Sequence, residues 1–104
     1  MTHTPLDPIT LEILWTRLIS VVDEASAAFV RTSFSTLVRD ANDFAVVLTD
    51  PQGRNIAQSS RSIPSFISTM PRTIAAFIEN FGAPTMQHDD AYLTNDPWLG
   101  SGHL

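Results

Sequence analysis

The chain has 104 residues, 43% of them apolar, with eleven acids, six basic residues, a net charge of -5 and no cysteine. That suits one small globular domain, or part of one, and excludes a disordered tail, disulfides, thiol nucleophiles and thiolate metal sites. The basic residues, Arg17, Arg31, Arg39, Arg54, Arg61 and Arg72, are scattered along an acidic chain, which leaves no footprint for nucleic acid or an anionic membrane surface.

The opening Met-Thr-His-Thr-Pro-Leu-Asp-Pro has no basic stretch followed by an apolar one, so it is not read as a signal peptide. Asp7-Pro8 is a helix start: the carboxylate caps free N–H groups, and proline fits the first helical position. Leu11, Leu14, Trp15, Leu18, Val22, Ala25 and Phe29 then recur at three- and four-residue steps, which predicts one long helix. Its charges and hydroxyls exclude a membrane span. Ser33 to Thr36 are poor helix formers, so the helix is expected to end near Thr32.

Residues 44–49 form a short apolar, β-branched run that predicts a strand. Asp50-Pro51-Gln52-Gly53 is turn chemistry, and residues 55–58 read as the returning strand. After a polar loop, a second helix is expected from about Phe66 or Pro71 to Phe81. Ile74, Phe77, Ile78 and Phe81 form its apolar face, and Gly82 and Pro84 close it. Residues 91–94 read as a third strand. The expected architecture is α+β: a long N-terminal helix, a β-hairpin, a second helix and a third strand. Leu14, Leu18, Val22, Phe29, Val46, Leu48, Ile74, Phe77 and Ile78 are the expected core. Such a set leaves a sheet edge uncovered, and a glycine-rich loop commonly leads into another element. Residues 1–104 are therefore expected to be part of a larger domain.

Chemistry concentrates in the last ten residues. Asn95 and Asp96 follow the expected third strand, where loops carry binding groups on a rigid base. Gly100 and Gly102 permit close backbone approach. His103 offers an imidazole, a common ligand for Zn, Mn or Fe, with Asp96 as its one plausible metal-binding companion. The alternative is a turn-rich loop in which Asn and Asp satisfy local backbone and His103 is solvated. Arg39, Asp40, Asn42 and Asp43, just before the first strand, either bind a polar substrate or cap backbone groups. His88-Asp89-Asp90 reads as a solvated turn. No serine-hydrolase, P-loop or dinucleotide pattern is present.

Taken in order, these pieces resemble the hydantoinase B/oxoprolinase family. Asp7-Pro8-Ile9-Thr10-Leu11-Glu12-Ile13 is similar to its opening D-P-[IV]-T-x-E-[IV]. Arg31-Thr32-Ser33-Phe34-Ser35 resembles R-T-[SA]-x-S. Asp43-Phe44 through Leu48, with Asp50, Gly53 and Ala57-Gln58, resembles its D-F…D-x-x-G…A-Q hairpin. Asn95-Asp96-Pro97, Gly100 and His103 resemble N-D-P-[YW]-x-G-[TS]-x-H. Ser62-Ile63-Pro64-Ser65-Phe66 and residues 95–103 look closest to the N-methylhydantoinase B branch.

The resemblance implies a cytoplasmic enzyme that opens a cyclic amide, such as a hydantoin or 5-oxoproline. An A-type partner binds ATP and activates the carbonyl by phosphorylation. The B-type part completes ring opening in a hetero-oligomer. It implies a divalent metal, with His103 as first ligand, Asp96 nearby, and further ligands beyond Leu104. Arg39, Asp43 and Asn95 are the expected substrate-binding residues. On this reading residues 1–104 are the N-terminal portion of a hydantoinase B/oxoprolinase domain, a fragment inactive alone. Two alternatives remain open: a subunit fragment of an acetone or acetophenone carboxylase type, and a non-catalytic interaction module.

Overall fold

The computed structural model describes residues 5–100. Helix α1 runs Pro8–Thr32, as the apolar spacing predicts. Asp7 caps it, its Oδ1 accepting from the Thr10 N–H at 2.9 Å and its Oδ2 from the Thr10 hydroxyl at 2.8 Å. The chain then turns through Ser33–Ser35 into a short helix that the sequence reading treats as loop. This is α2, Thr36–Ala41, capped by the Ser35 side chain and ended by Asn42 in the left-handed conformation at φ 54°. Arg39 and Asp40 therefore lie on a helical turn rather than in a strand-leading loop.

The hairpin forms where expected but is shorter on its first side. Strand β1 is Val47–Thr49 and pairs antiparallel with β2, Asn55–Gln58, with a register shift between Leu48 and Thr49. Residues 44–46 join the following loop instead of the ladder. The Val46 carbonyl accepts from Ser59 N–H at 2.9 Å, and the Phe44 carbonyl accepts from Ile63 N–H at 3.0 Å. The turn is held from inside: Gly53 N–H donates to the Asp50 carbonyl, and Asp50 Oδ1 accepts from the N–H groups of Gln52 and Arg54. Gly53 sits at φ +86°, and a Cβ there would lie 3.2 Å from Ile74 Cγ2. Glycine is thus required both for the left-handed backbone and for the approach of the turn to the next helix.

The expected second helix is two helices. Helix α3 is Pro64–Ile67 and α4 is Met70–Phe81. The break has two causes. Pro71 has no N–H and its ring would meet the carbonyl of Ile67 in a continuous helix. The hydroxyls of Ser68 and Thr69 take the carbonyls of Ser65 and Phe66. Helix α4 ends at Gly82, whose N–H donates to Ile78 and whose φ is +80°, and a single 3-10 turn follows at Ala83–Thr85.

Residues 91–94 are not a strand: the hairpin is the whole sheet among the described residues. The segment is fixed by side chains instead. The Tyr92 ring packs 5.6 Å from Phe77 and 4.9 Å from Phe81, centroid to centroid, and Phe77 stacks on Phe81. An aromatic cluster on α4 takes the place of a third strand. The architecture is α+β all the same, with helices and one antiparallel hairpin.

The core is thin. Val22, Phe44 and Ala57 are buried, with the polar Ser26 and Ser59 beside them, and no large side chain is wholly sealed among the described residues. Of the expected core, Val22 is at the centre. Leu18, Val46, Leu48, Ile74, Phe77 and Ile78 are half-buried, whereas Leu14 (45% exposed) and Phe29 (47% exposed) are open. The Phe29 ring tilts against that of Phe44 at 5.4 Å. The radius of gyration is 15.4 Å, against about 13 Å for a compact chain of this length.

Candidate functional site

The loop at residues 95–100 is built by one carboxylate. Asp96 Oδ1 accepts from Trp98 N–H at 2.8 Å and Leu99 N–H at 3.3 Å, while Asp96 N–H donates to the Thr94 hydroxyl at 3.1 Å. The Gly100 N–H then returns to the Asp96 carbonyl at 3.1 Å, which closes the loop. Gly100 is buried, and a Cβ on it would lie 3.0 Å from the Asp96 carbonyl oxygen and 3.7 Å from the Thr73 hydroxyl. Glycine is needed here for space, not for a left-handed backbone. The loop rests on α4, where Arg72 Nη2 donates to the Trp98 carbonyl at 3.2 Å.

Asp96 is thus engaged in turn building, as one of the two sequence readings has it. That leaves its Oδ2 with no hydrogen-bond partner among the described residues, on a half-buried side chain. Asn95 beside it is exposed. His103, the expected metal ligand, lies outside the described residues. Among the described residues, no three His, Asp or Glu side chains converge as a metal group.

The other expected substrate-binding residues sit elsewhere. Arg39 is exposed on α2, and Asp43 follows that helix, with its N–H donating to the Leu37 carbonyl at 3.0 Å. Helix α2 packs on α1. Among the described residues, no hydrogen bond or ion pair joins Arg39 or Asp43 to Asn95 or Asp96. His88 and Asp89 pair at 3.1 Å with both side chains largely exposed, in keeping with a solvated turn. Sequence reasoning misses Arg72 and Thr73 as members of the site. They precede Trp98 and Gly100 by a whole helix and loop, and no spacing rule joins them.

A second carboxylate fixes how the hairpin sits on α1. Asp23 Oδ1 accepts from Ser60 N–H at 2.8 Å, and Oδ2 from the Ser60 hydroxyl at 3.0 Å. These two bonds from Ser60, with help from Ser59 and the charge of Arg61, hold the Asp23 carboxyl below the ordinary value of 3.8. The folded state therefore binds this proton less readily than the unfolded chain. Its contribution is fully present above pH about 4 and is lost as pH falls through the lower folded value. Urea unfolding at a series of pH values is expected to show a stability that declines in acid. Asp23→Asn is expected to lower the midpoint at neutral pH and make the acid decline shallower. An unchanged acid slope in the variant would remove Asp23 as a source of the decline. Asp50 also sits below its ordinary value: burial opposes its ionisation, but the bonds from Arg54 and Gln52 and the Arg54 charge outweigh it.

The class that emerges is an α+β module carrying a carboxylate-built, glycine-closed polar loop on a helix. The hydantoinase B/oxoprolinase family matches residues 7–104. A 5-oxoprolinase of Dictyostelium discoideum is 30% identical over 101 residues, covering 97% of this chain and 8% of the relative. A putative B-type subunit of a D-/L-hydantoinase from Pseudomonas sp. (strain NS671) is 30% identical over 106 residues, covering 97% of this chain and 18% of that protein. A 5-oxoprolinase of Saccharomyces cerevisiae is 28% identical over 99 residues, covering 95% of this chain and 8% of its own length. No solved structure matches. The chain belongs to the hydantoinase B/oxoprolinase family, and it spans between 8% and 18% of the length of these relatives. Among the described residues, no helix is long and apolar enough to cross a membrane.

Proposed function

We propose that the chain is the N-terminal portion of a B-type subunit of an ATP-dependent cyclic-amide hydrolase, acting on a hydantoin or 5-oxoproline type of ring. The observation that carries this reading is the family match over residues 7–104, together with relatives named as 5-oxoprolinases and as the B-type part of a hydantoinase. The partner is an A-type subunit that binds ATP, and the assembly is a cytoplasmic hetero-oligomer. An amide is a poor electrophile with a poor leaving group, so ring opening needs activation from such a partner.

In this proposal residues 95–103 form one arm of the site. His103 and Asp96 would hold a divalent ion, Zn, Mn or Fe, since an imidazole with a carboxylate is a donor pair that suits any of the three. Such an ion supplies carbonyl polarisation or a lowered pKa of water when bound. The chain's own residues do the positioning. Asp96 Oδ1 fixes the loop, Gly100 lets it close, Arg72 anchors it to α4, and the exposed Asn95 side chain orients the ring amide.

The test is ATP hydrolysis by the intact protein containing these residues, with its A-type partner. Turnover is expected to depend on a hydantoin or 5-oxoproline and to be indifferent to bicarbonate. Turnover that requires bicarbonate and a ketone would replace this reading with a carboxylase. No turnover with any cyclic amide would sink it.

A further inference from the structure

A cavity of about 260 Å³ lies between the second half of α1 and the loop that follows β2. Its loop wall is pinned at several points. Ser60 is clamped to Asp23 of α1 by its N–H and its hydroxyl. Two residues on, the Ser62 hydroxyl accepts from Val46 N–H at 2.9 Å, and Ile63 N–H donates to the Phe44 carbonyl at 3.0 Å. A loop held this way presents its side chains from a rigid base.

Two opposite charges border the cavity without pairing. Asp23 lies on the helix side and Arg61 on the loop side. Among the described residues no ion pair joins them, and the exposed Arg61 pairs with no other carboxylate. They are near enough for the Arg61 charge to act on the Asp23 carboxyl. An ionised carboxylate can accept about four hydrogen bonds, so the bonds from Ser60 leave Asp23 with capacity to spare.

The cavity is also lined by hydroxyls withdrawn from bulk water. Ser26 is 3% exposed and Ser59 2%. The Ser59 hydroxyl accepts from Arg61 N–H at 3.3 Å. The Ser26 hydroxyl makes no hydrogen bond among the described residues, yet it is not sealed off, so it opens to the cavity. A hydroxyl this deep ordinarily has a partner, and here the partner has to come from the cavity. Ala27 and Val30 complete the lining with aliphatic surface.

We propose that this cavity binds a small α-amino acid in its zwitterionic form. The ammonium donates to Asp23, the carboxylate accepts from Arg61 and Ser26, and a short side chain lies on Ala27 and Val30. A simple anion would meet the Asp23 charge and a simple cation the Arg61 charge, whereas a zwitterion answers both. The cavity uses none of the residues assigned to ring opening, so the two readings stand or fall separately.

Ligand-observed NMR titration of the intact protein tests it, with L-alanine as the probe. L-alaninamide lacks the carboxylate and N-acetyl-L-alanine lacks the ammonium. Each is expected to bind at least about tenfold more weakly than L-alanine, for want of one charge-assisted pair. In Arg61→Gln the preference for L-alanine over L-alaninamide is expected to vanish. Arg61 is exposed, so the fold is kept, and a merely structural role would weaken both ligands alike. Ala27→Leu, at an exposed position of α1, is expected to fill the cavity and abolish binding while leaving the unfolding midpoint in place. No binding of L-alanine, as when another segment of the protein occupies the cavity, overturns the proposal. So does a preference for L-alanine that survives in Arg61→Gln, or binding that survives in Ala27→Leu.

Discussion

Phe44→Ala is expected to cost about 3–5 kcal/mol, the range for truncating a buried phenylalanine. Such a loss is a large share of the roughly 5–15 kcal/mol that holds a typical domain together. Phe44 is one of three buried apolar side chains among the described residues, and its position joins three parts of the fold. Its ring tilts against Phe29 of α1 at 5.4 Å. Its N–H donates to the Asn42 carbonyl just after α2, and its carbonyl accepts from Ile63 N–H before α3. Phe34→Ala is the control, because that ring is 100% exposed and a surface change away from special features is expected to stay within about 0.5 kcal/mol. Urea unfolding of the two variants checks both. Equal, small shifts would mean that Phe44 is not the centre of the core.

Gly100→Val is expected to reduce turnover of the intact enzyme at least about tenfold while leaving its fold in place. A Cβ at this position would already be 3.0 Å from the Asp96 carbonyl oxygen, and two further methyl groups cannot be placed without opening the turn. Opening it separates the Trp98 and Leu99 N–H groups from Asp96 Oδ1 and moves Oδ2 and Asn95 from their places. Misplacing a catalytic group by about 1 Å costs on the order of a hundredfold. The loop contributes none of the buried apolar side chains of the core, so circular dichroism and the urea midpoint are expected to change little. Trp98→Ala serves as the comparison: its side chain is 82% exposed, and the loop uses only its backbone. Wild-type turnover for Gly100→Val would mean that the loop geometry does not serve catalysis.

Much of the local structure is legible in the sequence because it is locally determined. Asp7 and Pro8 mark the start of α1 by chemistry confined to one turn. Asp50 to Gly53 spell a turn whose bonds all fall within five residues. The end of α4 at Gly82 is of the same kind. What escapes is set at a distance. Residues 91–94 have strand-like composition, but Tyr92 packs on Phe77 and Phe81 of α4, and no strand lies alongside. Phe44 reads as the first residue of a strand, but its ring packs on Phe29 and its carbonyl accepts from Ile63 N–H. Leu14 and Phe29 have helical core spacing, yet spacing cannot say whether anything covers a face. In the site, the run Asn95-Asp96 and Gly100 is readable as a motif and as a turn. Its anchoring by Arg72 and the closeness of Thr73 are not, since both contacts cross a tertiary boundary.

Whether the polar loop is one arm of a metal site in a cyclic-amide hydrolase is tested most directly by elemental analysis. The intact protein and its His103→Ala variant are compared for metal content beside their turnover. Close to one divalent ion per chain is expected in the wild type, with loss of both ion and activity in the variant. A variant that keeps its metal and its full rate would contradict this assignment.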